Sequence, residues 1–214
     1  MTTIQGLSLA AFAVILLYLA KRLPFTELMA DKKRQHIVFG ATASLFFLWI
    51  FRAGIFPGLN VHFLWLSALT LTLGFRWAVF AATAALLGTT AIGKEQWEML
   101  GVNGLLGVLA PISVSYLIFM LSFHRIPRHF FIYVFLCAFL PGALLIALKM
   151  ALLGGYYAFD DIYTWDVVKD NYVILIPLLL FPEALLNGMT MTLLIIYKPD
   201  WVYTFHDKFY LDKQ

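Results

Sequence analysis

The run VNGLLGVLAPISVSYLIFMLSF, Val102–Phe123, has 22 residues and no charged side chain. At about 1.5 Å of rise per residue a helix of that length reaches about 33 Å, enough to cross a hydrocarbon layer of about 30 Å. Six further apolar runs lie around it, near Ile4–Ala20, Ile37–Phe56, Val61–Gly74, Trp77–Ile92, Phe130–Leu153 and Tyr172–Tyr197. Over the 214 residues, 62% are hydrophobic and 13% charged, against about 45–50% and 25% in soluble domains. A soluble body of this size cannot hide that much apolar surface. The pattern predicts an all-α, polytopic integral membrane bundle of about seven transmembrane helices, with residues 1–214 forming a single transmembrane domain. Lipid offers no partner to bare backbone, so each run must be helical wherever it meets lipid. The third and fourth runs are short and separated only by Phe75-Arg76. They read as two brief spans or as a tight helical hairpin that does not cross fully.

Basic residues set the orientation. With the N-terminus outside and the C-terminus cytoplasmic, the cytoplasmic segments hold Lys21, Arg22, Lys32, Lys33, Arg34, Arg76, Arg125, Arg128, Lys198, Lys208 and Lys213, 11 of the 15 Lys and Arg. The opposite side holds Lys94 and Lys169, which is the asymmetry of the positive-inside rule. Met1-Thr2-Thr3-Ile4-Gln5-Gly6 has no Lys or Arg ahead of the first run, so that run reads as a retained span rather than a cleaved signal. The outer segments carry Glu95 and Glu98, then Asp160, Asp161, Asp166 and Asp170 among aromatic residues. These read as an interfacial belt with solvated charges, or as an acidic, cation-attracting lid.

Several functions drop out. The single cysteine, Cys137, lies in an apolar run, and no CxxC or Cys/His cluster exists for a zinc or iron–sulfur site. His36, His124, His129 and His206 fall on the cytoplasmic side, so no facing pair within spans could hold a haem. HExxH, GxSxG and P-loop signatures are missing, no catalytic pair can be named, and an ATP-driven role would need a separate ATPase subunit. The net charge of +3 sits in loops beside spans and marks topology, not a nucleic-acid surface.

Charged groups inside apolar runs each need an account. Arg52 and Lys149 lie about one turn from the outer ends of their runs and are expected to snorkel to the interface. Glu183 lies about 12 residues into the last run, or roughly 18 Å, near the midplane. A carboxylate there must be protonated, paired or set in a polar cavity. His62 opens the third run on the outer side, where an imidazole is either simply hydrogen-bonded or a ligand for Ni, Co, Cu or Zn. Gly104 and Gly107 lie one turn apart and suit close helix contact, and the Asn103 amide stands at the outer end of the same run.

Three stretches resemble the CbiM/NikM family, the membrane substrate-capture components of cobalt- and nickel-type energy-coupling-factor transporters. Phe56-Pro57-Gly58-Leu59-Asn60-Val61-His62-Phe63-Leu64 is similar to its Gly-x-x-x-His-Leu segment. Leu100-Gly101-Val102-Asn103-Gly104 through Ala110-Pro111 is similar to its Leu-Gly-x-Asn segment, and Pro182-Glu183-Ala184-Leu185-Leu186-Asn187-Gly188-Met189-Thr190 to its last helix. Order and spacing hold over residues 1–200. The resemblance implies a divalent-metal site near the outer face, built from the N-terminal amine, the first backbone amides, an imidazole at position two and the histidine matching His62. Here that means the Met1 amine, the Thr2 amide and His62, with Asn103 and Glu183 as outer contacts. Two positions depart from the family pattern: Thr2 stands where members carry histidine, and Asn187 where the last-helix motif has glutamate.

These readings lead to a non-enzymatic permease component of the bacterial inner membrane. It would take up a divalent transition metal, Ni or Co, as substrate rather than as a resident cofactor, alongside separate coupling and ATPase subunits. The alternative is an accessory or scaffold subunit of a larger membrane complex that has lost the metal site.

Overall fold

The computed structural model describes residues 1–126 and 129–205. Arg128, Lys208 and Lys213, counted above in the charge pattern, and His206, named above among the histidines, lie outside the described residues. The architecture is all-helical: α1 (Thr3–Ala20), α2 (Phe25–Ala30), α3 (Lys32–Ile50), α4 (Leu66–Leu73), α5 (Phe75–Ala91), α6 (Trp97–Arg125), α7 (Phe130–Phe159), α8 (Trp165–Asn171) and α9 (Ile176–Tyr197). Among the described residues, four helical stretches are long and apolar enough to cross a bilayer: α1, α6, α7 and the pair α8–α9, which runs from Trp165 to Tyr197.

The remaining apolar runs depart from seven equal spans. Helix α3 begins inside the basic cluster at Lys32 and stops at Ile50, so residues 51–56 do not extend it. Residues 51–65 are not helical, and α4 has only 8 residues, about 12 Å. The run expected at 61–74 is therefore an extended segment leading into a half-helix. Gly74, at φ 77°, turns the chain directly into α5; a positive φ of this kind is open to glycine at little cost.

Proline shapes the two long central helices. Proline has no N–H, and its ring pushes away the carbonyl four residues earlier. Widened π-helical turns stand just ahead of both prolines, Asn103–Leu109 before Pro111 and Val134–Phe139 before Pro141. Four residues before Pro141 is Cys137, and its carbonyl accepts from the Ser67 hydroxyl of α4 at 2.9 Å. Within a membrane such a freed carbonyl is tolerated because a neighbouring helix satisfies it.

Small residues set the packing, as expected where lipid supplies no hydrophobic drive between helices. A Cβ on Gly101 would strike the backbone of Ser8 and Leu9 in α1, and one on Gly104 would strike the Phe12 ring. The helix contact expected at Gly104 and Gly107 is therefore made by Gly101 and Gly104. Gly107 instead faces the Lys149 stem: a Cβ added there would lie 3.7 Å from Lys149 Cε, an ordinary contact. At the basic end, the chain after α9 returns to α4: the Tyr203 amide donates to the Thr72 carbonyl and the Thr204 hydroxyl to that of Leu71. Both carbonyls belong to the last turn of α4, where no intrahelical donor remains. An ion pair between Lys33 and Asp200 ties the returning segment to α3.

Candidate functional site

The segment between α3 and α4 carries His62 into the bundle. An antiparallel bridge pairs Ala53 with Val61 through N–H···O distances of 3.0 and 2.8 Å. Gly58, at φ 83°, lets the loop pass under Tyr157, whose hydroxyl would collide with any Cβ there. The loop ends at Trp65 in the left-handed region, φ 56°, a conformation costly for a bulky residue. Three bonds hold it: the Trp65 indole donates to Thr190 Oγ1 at 2.9 Å, its amide to Glu183 Oε1 at 2.7 Å, and the neighbouring Leu64 amide to Glu183 Oε2 at 2.8 Å.

Glu183 is 1% exposed, and this is its partner set. Both carboxylate oxygens accept, Oε1 also from Asn187 Nδ2 at 2.8 Å, which is the pattern of an ionised acid. Asn187 Oδ1 accepts in turn from the Ala68 amide at 2.9 Å. The two side chains, one turn apart on α9, thus grip the unwound start of α4, where orphan N–H groups and the positive helix end favour a negative charge. Glu183 does not line the cavity that His62 faces.

His62 is 7% exposed and packs against the Trp49 ring at 5.3 Å. Its Nδ1 lies 3.0 Å from the Phe63 carbonyl, an acceptor, so the proton is assigned to Nδ1 and the lone pair to Nε2. Lys149 Nζ sits 2.6 Å from that Nε2. Lys149 therefore does not snorkel outward; it turns into the bundle through the gap left by Gly107. Arg52 also turns inward, against expectation, because partners are at hand. Its Nε and Nη2 donate to the Trp49 carbonyl at 3.0 and 2.8 Å, closing the end of α3, and its Nη1 pairs with Glu95. The Arg52 and Glu95 side chains are 7% and 13% exposed, so Glu95 is not the solvated loop charge expected. Glu95 Oε2 accepts from Asn103 Nδ2 at 3.1 Å, on the π-helical turn of α6.

His62, Lys149, Arg52, Glu95, Asn103 and Asn60 line one cavity of about 20 Å³. A water needs about 10–15 Å³ on this measure, so the space suits a single water-sized or ion-sized occupant. Met1 and Thr2 line a separate recess of about 250 Å³, walled by Pro57 and Tyr157, and no residue lines both spaces. The Met1 amine lies 3.4 Å from Glu98. Thr2 caps α1: its amide donates to Gln5 Oε1 at 2.8 Å, its Oγ1 accepts from the Gln5 amide at 3.2 Å, and its hydroxyl donates to Asp160 at 2.7 Å. Thus the structure unites His62 and Asn103, leaves Met1 and Thr2 in a separate recess, and commits Glu183 to α4. Among the described residues, no group of three or more His, Cys, Asp or Glu gathers as a metal centre.

Sequence reasoning missed Lys149, Arg52 and Glu95 as members of this site. The signal was present in the cost of an intramembrane charge, but the choice between snorkelling and inward pairing depends on what faces the side chain from other helices.

The described helices are similar to two solved crystal structures. One is a truncated transition metal transporter, at TM-score 0.75 and 19% identity, covering 90% of this chain and 94% of that one. The other is a transition metal transporter, at TM-score 0.74 and 19% identity, covering 89% and 87%. At that identity the likeness speaks for the fold. No curated protein matches by sequence. The family model of the cobalt uptake substrate-specific transmembrane region matches residues 2–201. With that match running through the His62 loop, the α6 turn and the Glu183 helix, the chain is a membrane protein of the CbiM family, whose members serve metal-ion transport.

Proposed function

We propose that the protein is the substrate-capture permease of a divalent transition-metal uptake system of cobalt or nickel type. In this reading it lies in the bacterial inner membrane with the N-terminus outside, and separate coupling and ATPase subunits drive release. The observation that carries the reading is His62 Nε2: a fixed lone pair, held by the Nδ1–H bond to Phe63, facing a cavity sized for one ion. Imidazole nitrogen suits Ni and Co. The proposed ligands are His62 Nε2 first, then the Met1 amine and Thr2 amide, which would have to move in from their separate recess, with Asn103 at the rim. A metal must displace Lys149 from Nε2 to bind, and Thr2 must give up its bond to Gln5.

One observation favours a second reading, an accessory subunit without metal. The ligand atoms are already satisfied internally, Nε2 by Lys149 and the Thr2 amide by Gln5. Elemental mass spectrometry on gently purified protein, loaded with nickel or cobalt and run beside His62→Ala, separates the two. Stoichiometric metal lost in the variant supports capture; no metal in either sample supports the accessory role.

A further inference from the structure

Helix α4 carries the His62 loop at its start, and a single stretch of chain, α9 with the segment that follows it, holds both of its ends. At the start, Glu183 accepts from the Leu64 and Trp65 amides and Asn187 from that of Ala68. At the far end, residues 198–205 turn back against α4. The Tyr203 amide donates to the Thr72 carbonyl at 3.1 Å, and the Thr204 amide and hydroxyl both donate to the Leu71 carbonyl, at 3.2 and 2.9 Å. With the Thr204 hydroxyl proton committed to Leu71, the Tyr133 hydroxyl of α7, 2.6 Å away, is the donor to Thr204 Oγ1. Length makes the two ends interdependent. α4 has 8 residues, little more than two turns. A helix below about 12–15 residues is not stable alone, and the cost of nucleation makes its turns form or melt together. Every α4 residue except Thr72 is buried, so an end group that loses its protein partner has no water to turn to. The start of α4 runs back into Trp65, whose left-handed conformation is held from α9, and Leu64, whose carbonyl accepts from the Trp49 indole at 3.3 Å. His62 lies two residues before Leu64 and packs on that same Trp49 ring.

We propose that Thr204 and Tyr133 are positioning residues for His62. From the basic end they secure the last turn of α4, and the short helix passes that hold to the loop at its other end, about 12 Å away. Lys33, paired with Asp200, adds a tie between the return segment and α3. Drawing residues 198–205 off α4 therefore loosens the His62 loop without touching it. The link needs no metal; its use as a release step, with the return segment as the handle for a coupling subunit, rests on the capture reading.

Hydrogen–deuterium exchange on the metal-free full chain in nanodiscs reads the loop directly. Thr204→Val keeps the side-chain shape and removes the hydroxyl, and the amides of residues 59–66 should then exchange about tenfold faster than in wild type. Thr204→Ser, which keeps the hydroxyl, should retain wild-type protection. Tyr203→Pro deletes the amide that serves the Thr72 carbonyl and should act in the same direction, more strongly. Leu28→Ala opens a hole in buried α2 packing at the same end and controls for general loss of stability. Compared at equal distance below its melting temperature, it should leave residues 59–66 protected. Coupling is reciprocal, so Glu183→Gln should loosen residues 199–205. Faster exchange confined to 199–205 in the Thr204→Val and Tyr203→Pro variants, no change in either, or equal loosening of 59–66 in Leu28→Ala overturns the proposal. With no metal in the sample, failure of nickel or cobalt to bind leaves a positive result standing, and unchanged exchange leaves the capture reading standing.

Discussion

Replacing Glu183 by alanine takes the acceptor from two backbone amides, that of Leu64, which is buried, and that of Trp65, which is partly buried. Each orphaned amide costs about 1–3 kcal/mol, so the pair should cost about 4 kcal/mol. The left-handed Trp65 also loses one of the contacts that hold it. Glu183→Gln keeps one oxygen but turns an NH2 group toward an amide N–H, and should cost about half as much, about 2 kcal/mol. For a chain of this length 1 kcal/mol moves the melting temperature by about 2–4 °C. The alanine variant should therefore melt about 8–16 °C below wild type, and the glutamine variant about 4–8 °C below. Tryptophan fluorescence during heating in mild detergent reads this directly, since Trp65 sits at the perturbed junction. An alanine variant melting within about 2 °C of wild type would refute the claim that this carboxylate holds the start of α4.

Three other outcomes follow from the geometry. Lys149→Met removes the group held at His62 Nε2 while keeping an unbranched stem beside Gly107, and should strengthen nickel or cobalt binding by about tenfold or more; isothermal titration that finds unchanged affinity would show that Lys149 does not guard the site. Arg52→Ala leaves Glu95 buried without its cation and should cost about 3–5 kcal/mol, with Arg52→Ala/Glu95→Ala recovering part of it; additive losses in the thermal melt would mean the pair is not coupled. Gly104→Ala should destabilise by about 1–3 kcal/mol because its Cβ meets the Phe12 ring, and Phe12→Ala should partly relieve that loss; no rescue would place the strain elsewhere.

The membrane class was legible because it rests on a sum. Long uncharged runs such as Val102–Phe123 cannot be hidden by any tertiary arrangement of 214 residues. His62 was legible as a candidate because an imidazole beside a Pro-Gly turn is chemically conspicuous and the segment resembles a family motif. Glu183 was legible as a residue needing partners, but those partners are backbone amides more than a hundred positions away, which no local pattern reveals.

Sequence by itself determined the all-helical membrane class, the family and the basic end of the molecule. The class and the basic end follow from composition, run length and charge asymmetry, and the family from the resemblance of three motifs; none of these needs to know what touches what. Only the tertiary structure decided that residues 51–65 stay unwound, because their stability depends on Glu183 and Asn187 arriving from α9 to satisfy the α4 amides. It also decided that Arg52 and Lys149 turn inward. A long cation near a helix end can reach water or a buried partner at similar cost, and Glu95 and His62, brought alongside by packing, tip that balance.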